Sequence, residues 1–142
     1  MVRSIFAVIA GMVTLTATSF LIEAAADPIL MRLFPHALPN RAAIGQNLAS
    51  AVFMLIYTSV CVAAGGYVTA WIARRSPIWH AVAMGVVQEA LTVWAMVSLP
   101  NEAPMRNWIV TLVLTIPLAW CGGLLRAKHA KKSGPPSVAA VT

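Results

Sequence analysis

Charged residues are scarce in this chain. Of its 142 residues, only 10% are Asp, Glu, Lys or Arg, and four of them are acidic. A soluble domain carries about 25% charged residues, which cover its water-facing surface. The scarcity therefore excludes an ordinary soluble domain and indicates a chain whose surface contacts lipid.

Cysteine and histidine are also few. Their positions in the sequence do not suit disulfide bonds, metal sites or catalytic groups. Cys61 and Cys121 fall in different apolar stretches, which suits neither a disulfide framework nor a metal site, so we expect two reduced, buried thiols. His36, His80 and His129 are scattered, and no G-x-S-x-G, glycine-rich phosphate loop or paired-carboxylate motif is present. We predict no enzymatic activity, no cofactor and no metal.

The apolar residues form four long blocks, at 5–22, 48–73, 78–99 and 108–125. A helix that crosses a bilayer needs about 20 residues, and each block is long enough. The predicted fold is an all-α membrane protein, a four-transmembrane-helix bundle with helices at about 5–26, 41–74, 77–99 and 105–126. Residues 127–142 are predicted to form a disordered, basic, cytoplasmic tail.

Polar and proline residues mark the predicted breaks. Asp27-Pro28 is expected to end the first helix and to open a short interfacial helix. Asn40 is a candidate cap for the second helix, and Ser76 a capping hydroxyl before Pro77 in the third. Pro117 lies inside the fourth block, where it is expected to kink the helix.

The distribution of Lys and Arg predicts the orientation. The N-terminus, the second loop and the C-terminal tail share one side, which carries Arg3, Arg74, Arg75, Arg126, Lys128, Lys131 and Lys132. The other side carries only Arg32, Arg41 and Arg106. Cationic residues concentrate in the cytoplasm, so both ends are expected there (N-in, C-in), with the basic tail near anionic lipid. The net charge of +6 does not indicate nucleic-acid binding, because the basic residues flank membrane spans.

The N-terminus has a second interpretation. Arg3, the apolar block and the alanines before Asp27 also resemble a secretory signal peptide, whose cleavage would remove residues 1–26. The block is longer than the usual apolar stretch of a signal peptide, and Glu23 lies beside the cleavage site. We expect the first helix to be retained.

Small residues at four-residue spacing predict where helices pack, because they let backbones approach closely within lipid. The candidate packing residues are Gly65, Gly66, Ala81, Gly85, Thr111, Thr115, Ala119 and Gly123. The same spacing also suits a homodimer face, and the pattern does not separate the two uses.

Glu89 is the candidate functional residue. It lies near the middle of the third block, on one helix face with Ala81 and Gly85 and beside Thr92. A charge at the centre of a membrane helix costs about 2.5–3.5 kcal/mol on insertion scales, and no Lys or Arg lies within a block to offset it. Glu89 is either a neutral acid hydrogen-bonded across the bundle, or a group that binds a proton or a cationic substrate. The outer pair Glu23 and Asp27, one turn apart, is a weaker candidate for a cation.

The segment 65–75, followed by Pro77, His80, Ala81 and Gly85, resembles the central helix–loop–helix of small uncharacterised bacterial four-helix inner-membrane proteins. The resemblance implies a multi-pass protein of the bacterial cytoplasmic membrane and no particular activity.

The sequence thus predicts a small structural or accessory membrane protein. Its expected partners are the lipid bilayer and either another membrane protein or further copies of itself. The alternative is a small proton- or cation-linked transporter centred on Glu89.

Overall fold

The computed structural model describes residues 2–39, 41–73, 76–99 and 103–132, and all the regular secondary structure in these ranges is helical. Five helices follow one another in these ranges: α1 Val2–Leu33, α2 Arg41–Gln46, α3 Leu48–Ala73, α4 Pro77–Ser98 and α5 Met105–Lys132.

Four of these helices, α1, α3, α4 and α5, are long and apolar enough to cross a membrane. Their most apolar windows have mean hydropathies of 1.4–2.2, and at most 33% of any window is buried inside the protein. The outer surface is therefore also apolar, as expected of a bundle in lipid and not of one in water. The prediction of four helices of transmembrane length is confirmed.

Helix α3 is the central element. It packs against α1, α4 and α5, while α4 packs mainly against α5. Within the described residues no Cα atoms of α1 and α5 come within 8 Å of each other, so these two helices contact different sides of α3. The helices alternate in direction along the chain, which makes α3 antiparallel to α1 and parallel to α5.

Glycines bring α3 into backbone contact with both flanking helices. A Cβ atom added to Gly65 would lie 2.9 Å from the carbonyl oxygen of Gly11 in α1. One added to Gly66 would lie 2.5 Å from the carbonyl oxygen of Ala119 in α5, and one added to Gly122 would meet the backbone of Ala63. No larger residue fits at these crossings without moving a helix.

The core lies where α1, α3, α4 and α5 meet. Leu15, Val62, Met84 and Ala119 form its buried apolar cluster. The buried hydroxyls of Thr69 and Thr115 donate to the carbonyl oxygens of Gly65 and Thr111, one turn earlier in their own helices. These two hydroxyls are thereby satisfied within their own helices, so they add no hydrogen bond between helices.

The predicted packing residues lie mostly at helix contacts. Seven of them are buried, namely Gly65, Gly66, Ala81, Gly85, Thr115, Ala119 and Gly123, and Thr111 is half-buried. Gly85 faces Ala119, and Gly123 faces Ala81, so both pairs serve the contact between α4 and α5. Gly11 and Gly122 make equally close contacts but were not singled out from the sequence.

The predicted break at Asp27-Pro28 is wrong. Helix α1 continues through Pro28 to Leu33, and the amide of Phe34 still donates to the carbonyl of Leu30 at 3.0 Å. A proline removes only one helical hydrogen bond, here the one accepted by Ala24, and a helix near the membrane surface tolerates that loss. The separate interfacial helix after Pro28 is thus the last part of α1.

The predicted second helix, 41–74, is divided in two at Asn47. The Asn47 side-chain oxygen accepts hydrogen bonds from the amides of Ala49 and Ser50, at 3.0 and 3.4 Å, and so caps α3. The hydroxyl of Ser50 donates to the carbonyl of Ile44 at 2.7 Å, which ties α2 to α3. The cap predicted at Asn40 lies outside the described residues.

Helix α4, the third of the four predicted helices, begins with proline as predicted, but the residue before it does not cap it in the predicted way. Ser76 has φ 47° and ψ 55°, in the left-handed region, and its side chain makes no capping hydrogen bond. Its carbonyl instead lies 3.0 Å from Nδ1 of His80. The left-handed turn lets α4 reverse direction directly after α3, whose following residues Arg74 and Arg75 are not described.

The basic tail is partly helical, which corrects the prediction of disorder from residue 127. Helix α5 runs through Pro117 and continues to Lys132. The ring of His129 packs edge-on against Tyr67 of α3, with centroids 6.0 Å apart, and this contact supports the extension. Residues 133–142 lie outside the described ranges.

Replacing Gly66 with alanine tests the close approach of α3 to α5. The new Cβ would meet backbone atoms of Ala119, so we expect a loss of about 1–3 kcal/mol in the free energy of unfolding, measured in mixed detergent micelles. Gly85→Ala is the matched control, because its Cβ would meet the Ala119 side chain at 3.0 Å and Ile116 Cα at 3.5 Å. Equal losses for both variants would contradict the backbone-contact model.

Candidate functional site

Glu89 lies at the edge of the α4–α5 contact. Ala81 and Gly85, on the same face of α4, are buried against α5, and Met84 points into the core with no exposed surface. Glu89 continues this face one turn further but is only half-buried. The backbone of α4 turns about 100° per residue, so Glu89 lies beyond the α5 contact, towards the outer surface of the bundle.

The hydrogen bond expected across the bundle is not present at Glu89. Within the described ranges, its carboxyl group makes no hydrogen bond and no ion pair. Thr92, the neighbour singled out from the sequence, donates instead to the backbone carbonyl of Gln88 at 2.9 Å. A threonine in a helix donates its hydroxyl hydrogen to its own backbone, so that donor is no longer available to a neighbouring acid.

The facing part of α5 also carries an unusual backbone group. Gly85 lies against Ile116 and Ala119, and α4 and α5 are antiparallel, so the turn that holds Glu89 is level with the turn around Val113. Pro117 has no amide hydrogen and leaves the carbonyl of Val113 without its helical donor. An acid and a freed carbonyl thus lie at the same height on the edge of two adjacent helices.

A cross-bundle hydrogen bond of the expected kind is made by a different acid. The hydroxyl of Tyr57 in α3 donates to Oε1 of Glu23 in α1 at 3.0 Å. Tyr57 is 8% exposed, and its ring packs on Phe53 with centroids 5.6 Å apart. This pair joins the C-terminal half of α1 to the N-terminal half of α3, in addition to the glycine contact at Gly11 and Gly65.

Glu23 and Asp27 also line an open groove of about 520 Å³ along the C-terminal part of α1. Phe20, Pro28 and Arg32 line it with them, so the groove presents charges of both signs beside apolar surface. In the part of the chain that the structure describes, no group of three or more His, Cys, Asp and Glu residues is arranged to hold a metal ion. The two acids alone do not define a cation site.

The remaining reactive residues lie apart from Glu89. Cys61 is buried in α3, as predicted, but Cys121 is exposed on α5, so the expectation of two buried thiols is wrong for the second. Cys121 follows the exposed Trp120 on the outward side of α5, whereas the neighbouring Gly122 and Gly123 face α3 and α4. Both cysteines are free.

Sequence reasoning identified Glu89 but not the pairing of Tyr57 with Glu23. Tyr57 lies in an uncharged block, and the long connection between α1 and α3 leaves their relative register undetermined by sequence. The useful signal would have been the tyrosine itself. Unlike the threonines and serines of α3, Tyr57 cannot reach its own backbone with its hydroxyl, so it needs a partner on another helix.

Comparison with known proteins assigns no family or function. No family model, no curated protein and no solved structure matches this chain. Among the described residues, Glu89 is the clearest functional candidate.

Tyr57→Phe tests the bond to Glu23. Removing the hydroxyl is expected to lower the free energy of unfolding by about 0.6 kcal/mol, and by no more than about 2 kcal/mol, as for other hydrogen bonds between membrane helices. A double-mutant cycle with Glu23→Leu should return a coupling of the same size, measured by unfolding in mixed micelles. Simple additivity of the two single losses would show that the bond contributes nothing to stability.

Proposed function

We propose that this chain is a small multi-pass membrane protein of a bacterial cytoplasmic membrane, with both ends in the cytoplasm. It acts as a non-enzymatic accessory or structural protein that binds another membrane protein or itself. The concentration of Lys and Arg on one side supports the orientation. The helix–loop–helix at residues 65–85, which resembles that of small bacterial inner-membrane proteins, supports the location.

The observation that carries the proposal is the position of Glu89. In a membrane it lies near the bilayer midplane, because it is within two residues of the centre of α4. A carboxyl group there is unfavourable by about 2.5–3.5 kcal/mol, whereas leucine is favourable by about 0.3–0.6 kcal/mol. Since no described residue of its own chain bonds to it, a helix from a partner is the natural source of a hydrogen bond.

The packing of the core favours this function over transport by a single chain. Thr69, Met84 and Ala119 are fully buried where the helices meet. Between the central parts of α3 and α5, beside Val62 and Thr115, lies a pocket of about 10 Å³, whereas the pocket nearer Trp108 measures about 190 Å³. A proton or cation path within the described bundle would have to pass these contacts. A transporter centred on Glu89 would need several copies to enclose its path.

Glu89→Leu is expected to leave the free energy of unfolding of the isolated chain unchanged or to raise it by about 1–3 kcal/mol, because it replaces an unfavourable carboxyl with a favourable side chain. Unfolding in mixed micelles, at high dilution where partners dissociate, measures this change. A loss of stability would mean that Glu89 has a structural bond in its own chain.

The same variant is expected to lose partner binding. Chemical cross-linking in native membranes should capture a stoichiometric partner with the wild type and with Glu89→Gln, whose amide still forms hydrogen bonds, but not with Glu89→Leu. Gln88→Leu is the matched control, since Gln88 is also half-buried but points about 100° away. Proton or cation flux in proteoliposomes that disappears in Glu89→Gln would instead establish the transporter.

A further inference from the structure

One side of α4 carries a heptad-like row of five residues, which are three valines, one methionine and, at the centre, Glu89. The row, which we call the α4 seam, consists of Val82, Val86, Glu89, Val93 and Met96. Its alternating spacings of four and three residues are those of a left-handed coiled coil, in which such residues face a partner helix continuously.

The α4 seam is largely unused inside the bundle. Val86 is 51% exposed and Val93 is 44% exposed, while the other three members are half-buried. Met84, which points into the core, lies on a different side of α4, whereas Glu89 borders the face of Ala81 and Gly85 that packs against α5. An apolar row open to lipid needs no partner, but a row that is open and interrupted by a carboxyl group does gain from one.

We propose that the α4 seam pairs in parallel with the same seam of a second copy of this chain, with the two Glu89 carboxyl groups hydrogen-bonded to each other. This inference rests on the proposed function and names its partner. A carboxylic acid carries both a donor and an acceptor, so it is complementary to its own copy.

Membrane geometry favours the second copy over an unrelated partner. Copies inserted in the same orientation are related by a two-fold axis along the membrane normal, which keeps every residue at its own depth. Glu89 therefore meets Glu89 without any adjustment of depth. The row is apolar on both sides of the acid, with a valine as the next member in each direction, so apolar packing continues above and below the acid pair.

The placement of the valines favours a pair of helices over a larger assembly. Val86 and Val93 are seven residues apart, and in the heptad register of the seam they take the a positions, while Glu89 takes the d position between them. In parallel coiled coils, β-branched residues at the a positions favour two strands. The seam therefore suits a dimer in which each valine meets its own copy.

Glu89 acts in this interface as a register residue. A single polar residue in an otherwise apolar coiled-coil row fixes register and oligomeric state, because any shift leaves it facing apolar side chains.

Cysteine cross-linking of the full chain in liposomes tests the pairing, in a background where Cys61 and Cys121 are replaced by alanine. We expect Val86→Cys and Val93→Cys to form disulfide-linked dimers on oxidation. Val87→Cys is the matched control, because Val87 is as exposed as Val93, at 44%, but lies on another side of α4. Cross-linking at Val87 equal to that at Val93 would overturn the proposed interface.

The role of Glu89 is tested by energy transfer between labelled copies as they are diluted with lipid. Glu89→Leu is expected to weaken association about threefold to thirtyfold, the equivalent of one hydrogen bond between membrane helices, and Glu89→Gln to preserve it. Unchanged association in Glu89→Leu would overturn the acid pair.

A chain that stays monomeric, yet cross-links through Glu89 to a different stoichiometric protein, would overturn the dimer and keep the proposed function. A chain with neither contact would overturn both.

Discussion

Contact between helix backbones at small residues is the interaction on which the rest of this bundle depends. Lipid is as apolar as leucine, so burial of apolar side chains cannot by itself hold four helices together in a membrane. Gly65 and Gly66, adjacent in α3, point to sides of the helix about 100° apart and bring α1 and α5 within backbone contact of one central helix. Helix α4 then packs against α5 and α3, and its contact with α5 positions Glu89.

The four long helices could be predicted because hydropathy directly reflects the length of apolar chain that crosses a bilayer. The ends of these helices could not be predicted, because a helix can continue beyond its apolar block. Helix α1 continues past Pro28, and α5 continues past Arg126. In both places the polar residues that suggested a break are compatible with a helix in water, and His129 even adds a contact with Tyr67.

The candidate site was predicted only in part, for a reason that applies to many membrane proteins. An acid in an apolar block is visible in the sequence, so Glu89 was found. Whether Glu89 has a hydrogen-bond partner depends on the rotation and register of the neighbouring helices, which a single sequence does not encode. The cross-bundle bond belongs instead to Glu23 and Tyr57, and Glu89 remains at the edge between α4 and α5.

The parallel pairing of α3 with α5 has a consequence for the order in which the protein is assembled. These two helices are separated in the chain by α4, which runs in the opposite direction. During synthesis α3 is in place well before α5 emerges, and its Gly66 surface has no intramolecular partner until then. The Gly66 side of α3 therefore stays uncovered until the last helix arrives, and the docking of α5 is the step that completes the bundle.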